Sequence, residues 1–217
     1  MKLKLDWATY ESAKYAGINW HYSKCIPVGK LIKIGVWEND KFIGVIIFSR
    51  GACRTLGDQF GLKQTEICEL TRVALTKHKT PVSRIMMIAF KLLKTLIDIK
   101  CVVSFADPSQ GHHGGIYQAT NWIYTGLIIA SYKVLVNGVE RHNRGFDRKT
   151  VKLRQAKGED IKIVKNTSKH RYVMPLYDEI KPFILNLSKP YPKRATKANS
   201  GVQLECGGAI PTGTLQI

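Results

Sequence analysis

Two rhythms of apolar residues run through this chain, one of period two and one of period three to four. Leu31 to Trp37 and Phe42 to Ser49 are rich in β-branched and aromatic residues, and Glu38-Asn39-Asp40-Lys41 between them predicts a hairpin. Glu66 to Leu75 alternates like a strand and carries Arg72 near its end. From Val82 to Ile97 apolar residues return at 85, 88/89, 92/93 and 96, the spacing of a helix with one buried face. Thr80 is placed to be its N-cap and Pro81 its first residue. Ile99 to Phe105 predicts a buried strand that stops at the turn Asp107-Pro108-Ser109-Gln110-Gly111. A second helix is expected over Gly115 to Tyr124, stopped by Gly126, and a further strand over Ile128 to Val136. The first 25 residues mix aromatic and polar side chains and predict a short helix ending near Gly17, while Gly51 to Gly61 predicts a loop. Strand, helix, strand, helix with short links is the pattern of an α/β fold with a partly parallel sheet.

Composition narrows the class. With 217 residues, 44% hydrophobic and 9% aromatic, the chain can bury a substantial core, which excludes a disordered protein. The net charge of +18 favours a phosphate polymer as partner, nucleic acid before an anionic membrane. The charge is uneven: Lys133 to Lys197 holds 17 Lys and Arg against 6 Asp and Glu. Tyr132 just before that stretch and Phe146, Tyr172 and Tyr177 within it are interleaved with the cations, as suits phosphate-backbone binding. No stretch is long and apolar enough to span a bilayer and the start lacks a signal-peptide core, so the expected location is the cytoplasm. Five cysteines without a Cys-x-x-Cys pair argue against a disulfide framework and a structural zinc site. The expected organisation is a catalytic domain over 1–136, a basic continuation of it over 137–188, and an extended or disordered tail over 189–217.

One interval carries most of the candidate chemistry. Asp107 follows the buried strand, where open α/β sheets place their ligand crevice, and two readings stand: a general base or ligand-orienting carboxylate, or a residue that caps its own turn. His112 and His113 are either ligands or surface loop residues, and Gly114-Gly115 before a helix lets backbone approach an anion. A helix over 115–124 would align Tyr117, Asn121 and Tyr124 on one face. Trp20-His21-Tyr22 has the composition of a wall on which a base stacks, and Ser83-Arg84 in the first turn of the long helix could hold a pyrophosphate.

The run Ser104-Phe-Ala-Asp-Pro-Ser-Gln-Gly-His-His-Gly-Gly-Ile-Tyr-Gln-Ala-Thr-Asn-Trp-Ile-Tyr-Thr-Gly126 resembles the signature of phage Mom-type DNA modification proteins. Trp20-His21-Tyr22-Ser23, Glu69-Leu70-Thr71-Arg72 and Ser83 follow the same order, so the resemblance covers roughly 20–130. It implies a GNAT-like acyltransferase fold, a mixed central sheet flanked by helices with a basic C-terminal extension. It also implies conversion of adenine in phage DNA to an N6-carbamoylmethyl derivative that protects it from restriction endonucleases. Asp107 and Tyr117 then match catalytic positions and His21-Tyr22 an N-terminal motif counted with them, while Arg72 and Ser83, to which the neighbouring Arg84 is added, match a region binding acetyl-CoA or another acyl donor. Two positions depart from the pattern: Thr80-Pro-Val-Ser-Arg-Ile stands where GNAT enzymes carry a glycine-rich pyrophosphate loop, and Ala74 stands where an aromatic is expected.

On that reading a base is flipped out of duplex DNA and lined by Ser109, His112, His113, Asn121, Trp122 and Tyr124. Asp107 takes or orients the N6 proton and Tyr117 serves the leaving group. An iron site built from His21, His112 or His113 with Asp107 is a metal-assisted variant. The alternatives are a non-catalytic nucleic-acid-binding module and an adenine methyltransferase; for the latter, Asp107-Pro108-Ser109 is not the Asp/Asn-Pro-Pro-Tyr/Phe motif. The sequence leaves the oligomeric state open.

Overall fold

The computed structural model describes residues 2–51, 53–96, 98–128, 132–141, 146–165 and 167–193. Its centre is a seven-stranded sheet in the order β1-β2-β3-β4-β5-β10-β6. The strands are β1 (Leu3–Trp7), β2 (Leu31–Glu38), β3 (Lys41–Ser49), β4 (Ile67–Leu75), β5 (Cys101–Ala106), β6 (Ile123–Ile128) and β10 (Lys169–Pro175). Neighbours run antiparallel except β4 and β5, which pair in parallel through Ile67–Glu69 and Cys101–Val103. The sheet is thus mixed, as expected from the sequence. A small second sheet, β8-β7-β9, comes from β7 (Tyr132–Val136), β8 (Val139–Arg141) and β9 (Ile161–Lys165) and lies in the chain between β6 and β10.

Alternation along the strands decides which helix covers which face. Ile46 and Phe48 of β3, Val102 of β5 and Tyr172 of β10 turn to the long helix α2 (Val82–Leu96), which buries Ile85, Met86, Ala89, Phe90 and Leu93 against them. Val45 and Ile47 turn the other way, onto Ala13 and Ala16 of α1 (Tyr10–Trp20). Cys101, Val103 and Val173 join Ile180 and Ile184, the latter on α5 (Lys181–Leu185), on that same second face. Helices therefore flank both sides of the sheet.

Local chemistry sets the turns. The β2–β3 hairpin closes through Asn39 and Asp40, both at positive φ (49° and 62°), residues that tolerate this region better than most. Lys2 ties that turn to the start of β1 through its backbone N–H on Asn39 and its ammonium on Asp40.

Several expectations shift. The N-terminal helix runs past Gly17 to Trp20 and is preceded by a strand that the aromatic–polar mixture concealed. The helix expected over 115–124 is a single turn, α3 (Gly115–Gln118), because Asn121 takes positive φ (59°) and the β-prone Ile123-Tyr124-Thr125 then enters β6. The strand expected over 128–136 is two strands in different sheets. The basic stretch is divided as well: β10 is an inner strand of the main sheet, and residues 189–193 return to it, with Lys189 N–H donating to Tyr124 O and Tyr191 Oη donating to Trp122 O (2.6 Å). The rest of the expected tail, 194–217, lies outside the described residues. Among the described residues no helix is long and apolar enough to cross a membrane.

Close approach of β3 to β4 demands glycine at 44, where φ is +144° and a Cβ would lie 2.1 Å from Ala74 O. Gly44→Ala should lower the unfolding free energy by at least about 2 kcal/mol, read as a reduced urea midpoint.

Candidate functional site

The site begins where β4 and β5 part. Their ladder ends at Glu69 and Val103, and one residue further the buried Ser104 hydroxyl replaces the backbone, donating to Leu70 O (2.8 Å). β4 is irregular at the same level, Thr71 being the extra residue between Leu70 and Arg72 opposite Phe48 and Ile47. The Tyr117 hydroxyl reaches into this gap and lies 2.8 Å from Ser104 Oγ. Since the Ser104 proton is committed to Leu70, the phenol is the donor of that pair. Burial pushes the Tyr117 hydroxyl up to about 12, so it stays protonated at neutral pH.

Tyr117 is thus not on an exposed helical face. Its ring packs between Trp122 and Tyr172, at 4.9 and 5.0 Å, and only the hydroxyl end addresses the gap. The preceding turn is fitted to Tyr172: Gly114 has φ +85°, and a Cβ there would lie 2.3 Å from the Tyr172 ring. The Tyr172 hydroxyl donates to His113 O (2.7 Å).

Asp107, just past β5, is both turn cap and charged group. Its Oδ1 accepts from Ser109 N–H (3.0 Å) and Ser109 Oγ (2.6 Å), and its Oδ2 lies 3.3 Å from Lys169 Nζ at the start of β10. Partial burial opposes ionisation, but the Ser109 bonds and Lys169 outweigh it and hold the carboxyl below its ordinary value.

His21 and Tyr22 arrive from the end of α1. The buried His21 ring accepts the Ser23 backbone N–H at Nδ1 (3.1 Å), which leaves its proton on Nε2. Burial first, then Arg72 and His112, lowers its pKa to about 4, so this imidazole is neutral over the physiological range. Tyr22 lies between two imidazoles, with centroids 4.2 Å from His21 and 5.3 Å from His112, and is 54% exposed. His112 is fixed in turn by its N–H to Asp107 O (3.2 Å). The α1–β2 connection and the Asp107 loop are thereby locked together.

The residues grouped by sequence fall into separate places. Arg72 joins the imidazole side: its guanidinium donates to Thr71 O (2.7 Å) and lies 3.7 Å from Cys25 Sγ, with Nε buried and unpaired. Ser83 and Arg84 instead line a cleft of 610 Å³ along α2, together with Met87, Asn121 and Lys181. Asn121 therefore belongs with the expected donor-binding residues, away from the stacked rings. Trp122 is a correction, because its ring is fully buried against Phe90 and Tyr117 and packs the core where a base wall was expected. Tyr124 is buried too, its hydroxyl 2.8 Å from His170 Nδ1.

The iron site is not supported. Among the described residues no three His, Cys, Asp or Glu side chains gather in a way that could hold a metal ion, and Asp107 faces Lys169. Three residues at the site escaped sequence reasoning. Cys25 carries a thiol that Ser23 and Arg72 draw below its ordinary value against the effect of burial. Ser104 opens the motif but reads as an ordinary strand residue, and Lys169 sits 62 positions from its partner with no signal to link them.

The sequence profile of the Mom protein family matches residues 2–193. No curated protein matches the chain. Solved structures similar to it include the aminoglycoside N-acetyltransferase AAC(6')-Ib11, with TM-score 0.48 and 10% identity, covering 83% of this chain and 99% of that one. Another is the spermidine/spermine N-acetyltransferase SpeG of Vibrio cholerae in complex with manganese ions, with TM-score 0.45 and 10% identity, covering 83% and 96%.

His21 yields a pH prediction. A folded-state pKa near 4 against 6.5 in the unfolded chain means that the unfolded chain binds more protons between those values. Stability should hold above pH 6.5 and fall as the pH drops toward 4, and His21→Gln should flatten that slope in urea titrations run across the window.

Proposed function

The chain belongs to the Mom protein family, and from that premise we propose that it is a transferase modifying the N6 amine of adenine in double-stranded DNA to an N6-carbamoylmethyl derivative, a change that shields phage DNA from restriction endonucleases. The observations that support this reading best are an ionised carboxylate just past the end of β5, a protonated phenol at the gap where β4 and β5 separate, and a tilted His21–Tyr22 ring pair. The carboxylate and the phenol share the segment that follows β5, whereas the ring pair arrives from the end of α1, more than eighty residues earlier.

The chemistry follows from their states. Adenine N6 is a poor nucleophile because its lone pair is delocalised into the ring, and in a duplex it is also paired and stacked, so the base must be extruded. The exposed Tyr22 ring, backed by His21 and His112, offers it a stacking surface. Asp107, held ionised, is a weak base in the ground state. It serves first as acceptor for an N6–H and takes the proton only as positive charge develops on the attacking nitrogen. Tyr117 keeps its proton at neutral pH and supplies it to the leaving group on turning from Ser104.

The N6–CH2 bond of this product is not an acyl bond, so the step balances when the donor presents a CONH2-bearing CH2 to N6 and the bond from that CH2 to the leaving group breaks; transfer of an acyl carbonyl would instead leave an N6-acyl adenine. Ser83 and Arg84 at the start of α2, with Lys181 and Asn121, line a cleft of size and charge suited to a nucleotide-bearing donor. Arg72 lies with the reacting groups, where it stabilises developing negative charge. The basic continuation over 137–188 supplies contacts to the duplex, and the reaction takes place in the host cytoplasm.

Nucleoside mass spectrometry of DNA from expressing cells tests the proposal. Wild type should yield deoxyadenosine with one hydrogen replaced by CH2CONH2; an unmodified nucleoside pool would leave only a nucleic-acid-binding protein. Asp107→Asn and Tyr117→Phe should each cut modification by about 100- to 10,000-fold with the folded far-ultraviolet spectrum retained. Modification at the normal rate by folded Asp107→Asn would refute the carboxylate's role.

A further inference from the structure

The segment between β6 and β10 builds a unit with its own core. Val134 and Val136 of β7, Ile161 of β9, Phe146 and Val151 form a hydrophobic cluster separate from those of the main sheet. Val151 lies on α4 (Arg148–Ala156), which starts at the N-cap Asp147, its Oδ1 accepting from Thr150 N–H (2.7 Å). Two further anchors hold the inner side of this helix. Gln155 Nε2 donates to Ile161 O (2.9 Å), and the Arg154 guanidinium lies over the Phe146 ring while pairing with Glu159 through both Nε and Nη2.

The opposite side is charged in one sense. At helical spacing Lys149, Lys152, Leu153 and Ala156 lie away from Val151 and Arg148 lies at the flank, all exposed, and Lys157 follows at the C-cap. None of Arg148, Lys149, Lys152 and Lys157 is ion-paired among the described residues. Every acidic side chain described in this unit is engaged elsewhere: Asp147 caps α4, Glu159 holds Arg154, and Asp160 lies 3.4 Å from Lys162. Acids are therefore consumed on the inner and edge positions, and cations are left on one helical face. A merely soluble surface would intersperse both signs.

We propose that this outer face of α4 is the surface by which the protein seats in the major groove of B-form DNA, a deepening that rests on the duplex-modifying reading above. Nine residues span about 13 Å at 1.5 Å each, and an α-helix, about 10–12 Å across with its side chains, enters the roughly 12 Å groove of B-DNA, whereas the major groove of duplex RNA is too narrow for it. Arg148, Lys149, Lys152 and Lys157 reach the flanking phosphates. Leu153, 58% exposed amid these cations, faces the groove floor, where thymine methyls are the apolar feature. A membrane surface fits less well, since an interfacial helix presents a broad apolar face and this one shows a single large apolar side chain.

Fluorescence anisotropy with a labelled DNA duplex decides the matter. Lys149→Gln/Lys152→Gln should bind at least tenfold more weakly than wild type, and its plot of log affinity against log salt should be shallower by about 2. Lys14→Gln/Lys91→Gln removes the same charge from exposed positions on α1 and α2 and should bind like wild type. Unchanged duplex binding by the α4 variant would overturn the inference. So would an equal loss in the control pair, equal or tighter binding of wild type to duplex RNA, or α4-dependent binding to anionic phosphatidylserine vesicles in place of DNA. The two proposals fail separately. An α4-dependent duplex binder that leaves adenine unmodified keeps this inference and loses the reaction, whereas a modifying enzyme whose α4 variant binds normally loses only the inference.

Discussion

Parting of two parallel strands creates the site, and one serine hydroxyl manages the parting. Backbone pairing between β4 and β5 lasts three residues, after which Ser104 Oγ donates to Leu70 O and accepts from Tyr117. Without that hydroxyl, the carbonyl of Leu70 would face a buried gap with no partner, at a cost of about 1–3 kcal/mol. The same atom orients the phenol. Strand geometry and a proton's position are set by a single three-centre contact.

Everything else at the site is braced against this gap. Tyr172 on β10 closes one side of Tyr117 and in turn requires Gly114 to be bare. Lys169, three residues earlier on β10, reaches Asp107. β10 thus supports both the carboxylate and the phenol, although it lies more than fifty residues beyond them in sequence. The antiparallel insertion of β10 between β5 and β6 makes this possible.

Legibility of the sequence followed the range of the interactions involved. The hairpin through Asn39-Asp40, the long helix after Pro81 and the mixed sheet were readable because periodicity and turn chemistry are local. Asp107 and Tyr117 could be singled out together because one short segment carries both. The length of the second helix was not, since a single Asn at positive φ cut short an apolar spacing that otherwise continued. Nor was the burial of Trp122, because amphipathic spacing tells which residues share a face but not which face meets the core. Arg72 and Ser83, neighbours in the expected donor set, separated because β4 carries one to Cys25 and α2 carries the other to the cleft with Asn121 and Lys181. The histidine pair parted too: His112 took a ring contact with Tyr22, while the His113 carbonyl accepts from Tyr172 and Gln118.

The start of α2 has its own tenant. Glu38, at the end of β2, accepts from Lys79 N–H (3.0 Å), Thr80 N–H (2.7 Å) and the Thr80 hydroxyl (2.6 Å), and these bonds hold its carboxyl below its ordinary value. Free amides ahead of a long helix form a natural seat for phosphate. Here the protein has filled that seat with a carboxylate of its own, carried in from a strand some forty residues away. A phosphate approaching residues 79 and 80 meets a like charge and donors already spent. Ligand anions are thereby turned toward side-chain cations such as Arg84 and Lys181, and the helix start works as a filter that sets where along α2 a phosphate can settle.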